Sequence, residues 1–180
     1  LLAQAEHDAD AQSILITTDP AMARAVATEV ERIIPTLDRA AIAGASWRDY
    51  GTLIVVDDLN QAAALSNRIA PEHLELCVAD PEGLAAKCIH AGAIFLGAHT
   101  PEAVGDYVSG PNHVLPTARS ARFSSGLSVM DFLKRTTLSR LNPAALAAIG
   151  PAAVTLAMSE GLSAHARSVQ VRLDTLNEAP

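Results

Sequence analysis

A chain of 180 residues with a net charge of −7 and no Lys/Arg run is a poor partner for nucleic acid or for an anionic membrane surface. Apolar residues make up 49% and support a real core, but aromatics make up only 3%, so Ala, Val, Leu and Ile must fill it. No apolar run approaches a membrane span, and no signal peptide is visible. Cys77 and Cys88 form no C-x-x-C pair and lie in apolar surroundings. They read as buried thiols in a reducing compartment, most simply the cytoplasm.

The first residues, Leu1-Leu2-Ala3-Gln4-Ala5-Glu6-His7, read as the end of a helix already under way, as if the chain were cut from something longer. Gln4 and His7, three apart, share a helical face. Ser13–Thr17 is a short apolar run with β-branched residues, which predicts a buried strand. Asp19-Pro20 starts a helix, with Asp19 as N-cap and Pro20 at the first helical position. Met22, Val26, Val30 and Ile33 fall on one face, and Pro35 stops it. A short helical stretch follows around Arg39–Ala43. Thr52–Val56 is the second strand, and Asp57-Asp58 opens a helix through Ile69. Pro71 turns Ala70 extended. Leu74–Val78 is the third strand. Asp80-Pro81 repeats the cap-plus-proline start, with a helix to about His90 ended by Gly92. Ala93–Leu96 is the fourth strand. Thr100-Pro101 starts a short helix that Gly105 and Gly110-Pro111 break. Strands alternating with helices predict a parallel α/β sheet, Rossmann-like, with flanking helices over residues 1–127. From Ser128 the chain reads as a helical tail, 128–180. Asn142-Pro143 starts one helix, Pro151 kinks it and Gly161 ends it. Ser163 starts another. With little of its own to pack on, the tail docks on the sheet domain or on another chain.

Four polar constellations could carry chemistry. Gln4 and His7 are the first. Glu72-His73, at a helix-to-strand junction, is the second, and adjacent titratable groups there suit proton transfer. The third is the loop 105–113, with Asp106 between glycines and with Asn112-His113. The fourth is Ser159–His165, where Gly161 separates two helices and leaves Glu160 and His165 near the junction. Imidazole, carboxylate and amide oxygen are acceptable to a borderline metal such as Zn²⁺. None of these spacings is a strong metal signature, and taken singly each reads as surface or cap. Asp57-Asp58 lacks a preceding G-x-G-x-x-G and reads as helix capping, not a ribose-binding acid. Gly-Leu-Ser at 126–128 lacks G-x-S-x-G. Arg119 and Arg122 could grip an anion, but exposed loop arginines more often meet water.

As an ordered set, these segments resemble histidinol dehydrogenase. The matching stretches are Leu2–Asp8, Ile69–Glu75, Gly92–His113 and Glu160–His165, and the similarity runs from Leu1 to about Leu173. The resemblance implies oxidation of L-histidinol to L-histidine through the aldehyde, with a zinc ion and two NAD molecules. It implies Gln4, His7, Asp106 and His165 as zinc ligands and Glu72 and His73 as the acid/base pair. Substrate would meet Gln4, His7, His73, Asp106, Glu160 and His165, with His113 nearby. The NAD site would fall largely in an N-terminal half preceding the position of Leu1. A homodimer with exchanged C-terminal tails is expected. The alternatives are a non-catalytic zinc-binding or dimerisation fragment, or a paralogue acting on another small alcohol.

Overall fold

The computed structural model describes residues 1–178; Ala179 and Pro180, at the end of the expected tail, lie outside the described residues. Among the described residues four strands, β1 (Ile14–Thr17), β2 (Thr52–Val55), β3 (His73–Leu76) and β4 (Ala93–Leu96), form the framework. All pair in parallel, as the alternation of strands and helices predicts, but as two separate ribbons, β1–β2 and β3–β4, and not as one continuous sheet. In the first ribbon Ile14 pairs with Thr52; in the second, His73 pairs with Ala93. The chain divides into two compact units, Leu1–Phe132 and Leu133 onward.

The helices of the first unit are α1 (Leu2–Ala5), α2 (Pro20–Ile33), α3 (Ala40–Tyr50), α4 (Leu59–Ile69), α5 (Pro81–Ala85) and α6 (Glu102–Tyr107). Three start as local chemistry dictates. Asp19 accepts from the Ala21 N–H at 2.7 Å, Asp58 from Gln61 N–H at 2.7 Å and Asp80 from Gly83 N–H at 3.0 Å. Each bond satisfies an N–H that has no partner within its own helix.

Elsewhere distant partners overrule local pattern. The helix expected over Arg39–Ala43 runs on to Tyr50, because its buried face holds Ala43 and Ser46, and the Ser46 hydroxyl donates to the Ala11 carbonyl at 2.8 Å. The helix expected to reach His90 stops at Ala85. The Asn67 side chain takes over there: its amide donates to Lys87 O at 2.7 Å, and its oxygen accepts from Ile89 N–H at 2.8 Å and His90 N–H at 3.2 Å.

The β3–β4 ribbon shows the period of two along a strand. Leu74, Leu76 and Ile94 face a core of Ala63, Leu84 and Cys88. His73, Glu75 and Phe95 belong to the opposite face. The same alternation exposes Cys77, which apolar surroundings alone had marked as buried; Cys88 is buried as expected. Burial pushes the Cys88 thiol pKa up.

In the second unit, helix begins only at α7 (Pro143–Ser159), followed by α8 (Ser163–Glu178). Residues 133–141, expected to be helical, are irregular and exposed, so no buried face rewards helix formation there. Asn142 caps α7 through the Ala145 N–H at 2.8 Å, and Pro151 lies within the helix. Gly161 (φ 75°) ends α7: its N–H reaches Met158 O at 3.1 Å, and Leu162 N–H reaches Ala157 O at 2.8 Å. That pair of bonds is the Schellman arrangement, which needs a left-handed residue at this position. Leu173 lies within 3.0 Å of where a Gly150 Cβ would stand, so this glycine lets the two helices approach.

Candidate active site

The junction between α4 and β3 carries the proposed acid/base pair. Pro71 disfavours right-handed helix at Ala70, and an extended backbone is the ordinary alternative. Ala70 instead takes the left-handed region (φ 51°, ψ 65°) as the C-cap of α4, and is buried. For a residue with a Cβ this costs about 1–3 kcal/mol and persists only where surroundings impose it. Two arginines help impose it. Arg119 Nη2 donates to the Arg68 carbonyl at 2.7 Å, and Arg122 Nη2 donates to the same oxygen. The reading of these arginines as meeting water, or else an anion, is thus corrected: both close the C-terminal end of α4, where cationic donors also suit the helix dipole. Past Ala70 the chain docks on β4, with Gly92 N–H on Pro71 O at 3.0 Å and Ala93 N–H on Glu72 O at 2.9 Å.

His73 is thereby set at the head of β3. Its ring stacks on Phe95 with centroids 6.0 Å apart and planes 25° from parallel. Phe95 is in turn covered by α6. Gly105 does not break this helix but lies inside it, and a Cβ there would stand 2.1 Å from Phe95 Cε1. Close packing at Gly105 brings two carboxylates of α6 over the ring. His73 Nε2 lies 3.6 Å from Asp106 Oδ1 and 3.8 Å from Glu102 Oε1. Both separations exceed a hydrogen bond. Nε2 is buried and, among the described residues, has no hydrogen-bond partner. A buried polar atom left in this state points to a group that completes it.

Among the described residues, His73, Glu102 and Asp106 are the group of three whose ligand atoms lie within 4.8 Å of one another. One imidazole nitrogen and two carboxylates are donors that a metal ion such as zinc accepts, but this group shares only Asp106 with the ligand set that the resemblance implies. Burial, and then the Asp106 carboxyl, push the pKa of Glu102 above the ordinary carboxylate range; a charged His73 ring opposes this, and Glu75 adds to it.

Of the sequence-predicted residues, His73 and Asp106 meet here. Glu72 is half-buried beside His73 in sequence but is not in the group of three. Gln4 is half-buried on α1. His7 is exposed, two residues past the end of that short helix, with its N–H on Gln4 O at 3.2 Å and its carbonyl accepting from Arg39 Nη2 at 3.3 Å. His113 is exposed. Glu160 and His165 belong to the second unit, both exposed, Glu160 as C-cap of α7 and His165 in the first turn of α8. Glu102 was not foreseen. The signal was present: Glu102 and Asp106 are four apart after Thr-Pro, which puts two acids on one helical face. Reading Gly105 as a breaker hid it.

The family model for histidinol dehydrogenase matches residues 1–173. The chain belongs to the histidinol dehydrogenase family. It is 74% identical over 177 residues to the histidinol dehydrogenase of Ruegeria pomeroyi, covering 98% of this chain and 41% of that protein. The Cereibacter sphaeroides relative is 73% identical over 178 residues, again 41% of its length. The crystal structure of histidinol dehydrogenase from Elizabethkingia anophelis superposes with a TM-score of 0.87 at 40% identity, covering 98% of this chain and 40% of that one. The chain therefore spans about two fifths of the histidinol dehydrogenases it matches. No helix of the described residues is long and apolar enough to cross a membrane.

Proposed function

We propose that this chain carries the metal-binding and acid–base portion of a cytoplasmic histidinol dehydrogenase of histidine biosynthesis, oxidising L-histidinol to L-histidine through L-histidinal. The observation that carries the reading is the buried, unpartnered Nε2 of His73, 3.6 Å from the Asp106 carboxylate. Gln4, His7, Asp106 and His165 are the proposed zinc ligands. When bound, zinc would supply a Lewis-acidic anchor for the nitrogen donors of an amino alcohol, and NAD would accept hydride in each oxidation.

The chain's own residues then have separate tasks. His73 Nε2 takes the alcohol proton in the first oxidation, and the stacked Phe95 holds its ring plane. Glu72 activates the water that adds to the aldehyde before the second. Glu160 pairs with the substrate ammonium or imidazole N–H. Gln4, His7, His73, Asp106 and His165 complete the substrate contacts. The nucleotide pocket is assigned to the part of the relatives that this chain does not span. A homodimer with exchanged tails would bring His165 to the partner's site.

The test mixes this chain with the preceding segment of the Ruegeria pomeroyi relative and follows NADH formation from histidinol. The chain alone is expected to give no sustained turnover, and the mixture to regain some. In the mixture His73→Asn should slow the first oxidation, and Glu72→Gln the step from aldehyde to acid. Undiminished turnover in His73→Asn sinks the reading. The two-fifths coverage favours one competitor, a zinc-binding or dimerisation fragment without catalysis; zinc uptake by the mixture with no turnover would select it. Turnover of another small amino alcohol in preference to histidinol would select a paralogue.

A further inference from the structure

Glu75 lies in the same stretch as Glu72 and His73 but has no part in the proton chemistry above. It is two residues after His73, so both belong to one face of β3. Its Oε1 accepts the Glu102 N–H, the first of α6, at 2.8 Å. Local residues do not cap this helix. Pro101 offers no side-chain cap, and the Thr100 hydroxyl donates instead to Leu96 O at 2.8 Å. A carboxylate suits a helix N-terminus. Here it is nonetheless a third acid beside Glu102 and Asp106, and its charge adds to the burial and the Asp106 carboxyl that chiefly raise the pKa of Glu102. A local Ser or Thr cap would satisfy the N–H without that repulsion.

What the distant cap adds is register. Two residues of strand rise about 6.7 Å, and four residues of helix about 6 Å. One turn of α6 therefore matches the step from Glu75 back to His73. With Glu102 N–H tied at Glu75, Asp106 arrives 3.6 Å from His73 Nε2.

We infer that Glu75 is a positioning residue: by holding the first N–H of α6 from strand β3, it sets Asp106 and Glu102 against the His73 ring. The inference rests on the proposed roles of His73 and Asp106, but its test needs no metal, substrate or NAD, so it fails or stands apart from them. Amide exchange and imidazole ¹⁵N shifts are recorded by NMR on the 180-residue chain. In Glu75→Ala the Glu102 N–H should exchange about tenfold faster or more, as for loss of a hydrogen bond to a charged group. The His73 Nε2 resonance should move with it. Glu75→Gln, which keeps the acceptor, should restore most of both. Glu75→Asp, which keeps the charge but shortens the reach, should reproduce the loss in a folded chain if the Ala variant does not fold. Thr100→Ala should change neither. Glu102 exchange within about twofold of the parent in the Ala and Asp variants overturns the inference. So does faster exchange with an unmoved His73 resonance, which would leave Glu75 a plain helix cap, or a Thr100→Ala variant that matches Glu75→Ala.

Discussion

The β1–β2 and β3–β4 ribbons are both four-residue parallel ladders leading into capped helices, yet they use acids differently. Around the first, Asp19 and Asp58 each accept a backbone N–H at a helix start, and Asp57 meets the Gln61 side chain at 3.3 Å. Their oxygens are satisfied by hydrogen bonds within four residues. Around the second, Asp80 caps α5 in the same way, but Asp106 and Glu102 face each other and an imidazole nitrogen without a hydrogen-bond partner among the described residues. Acids satisfied locally build structure. Acids left facing one another keep an affinity for protons and cations, and the fold holds them there by means that are mostly distant in sequence.

The largest effect separating the ribbons should be in zinc affinity. Asp106→Ala is expected to weaken zinc binding by more than about a hundredfold, since losing even an outer partner of a ligand weakens binding about 10–100-fold. Asp58→Ala should leave zinc affinity unchanged and remove only about 1 kcal/mol of stability as a lost cap. Calorimetric zinc titration of both variants checks the contrast, and equal affinities would dissolve it.

Next comes packing. Gly105→Ala drives a Cβ into Phe95 and should destabilise the chain by about 2–3 kcal/mol. Gly44, inside α3, has its nearest obstacle, Ile34 Cγ2, at 3.6 Å, so Gly44→Ala should be neutral or stabilising by up to about 1 kcal/mol. Urea unfolding of the pair reads the difference.

Arg122→Ala removes one of two donors on the Arg68 carbonyl, a loss of about 1–2 kcal/mol confined to the second ribbon. Hydrogen exchange should quicken at Gly92 and Ala93, which donate to Pro71 and Glu72, and stay constant at Thr52 and Val56, which donate to Ser13 and Thr17.

The smallest effect concerns pH. The folded-state pKa of Glu102 is raised, so the folded chain binds its proton more tightly than the unfolded chain. That contribution is fully present below the unfolded carboxylate pKa and is lost as pH rises through the folded one. In metal-free protein Glu102→Gln should therefore flatten the decline in stability just above the ordinary carboxylate range. Thermal melts in chelator across that range give the answer; parallel curves for parent and variant would refute it.

The sequence-legible parts of this molecule are those decided within one turn of chain. Asp19-Pro20, Asp80-Pro81 and Asn142-Pro143 announce helices because cap and capped N–H are neighbours. The parallel strands were legible from their apolar runs, and the order of short motifs singled out His73 and Asp106, which the fold brings within 3.6 Å of each other. What stayed hidden was decided across the fold. Asn67 shortens α5 from another helix, and the arginines find their carbonyl some fifty residues away. Gly105 looks like a breaker until Phe95 is seen beneath it. Glu102 was lost with that misreading, because a carboxylate four residues from Asp106 matters only if the intervening chain is helical.

The arginine pair on Arg68 also bears on the order of folding. The bonds from Arg119 and Arg122 close loops of 51 and 54 residues, and such closures carry a large chain-entropy penalty until the intervening structure exists. Ribbons, helices and the core around Leu76 can form before those closures, while the left-handed turn at Ala70 waits for the 117–123 segment to arrive. The His73 end of β3 is then among the last parts to be fixed. An Arg122→Ala chain should accordingly unfold faster than the parent while folding at nearly the same rate.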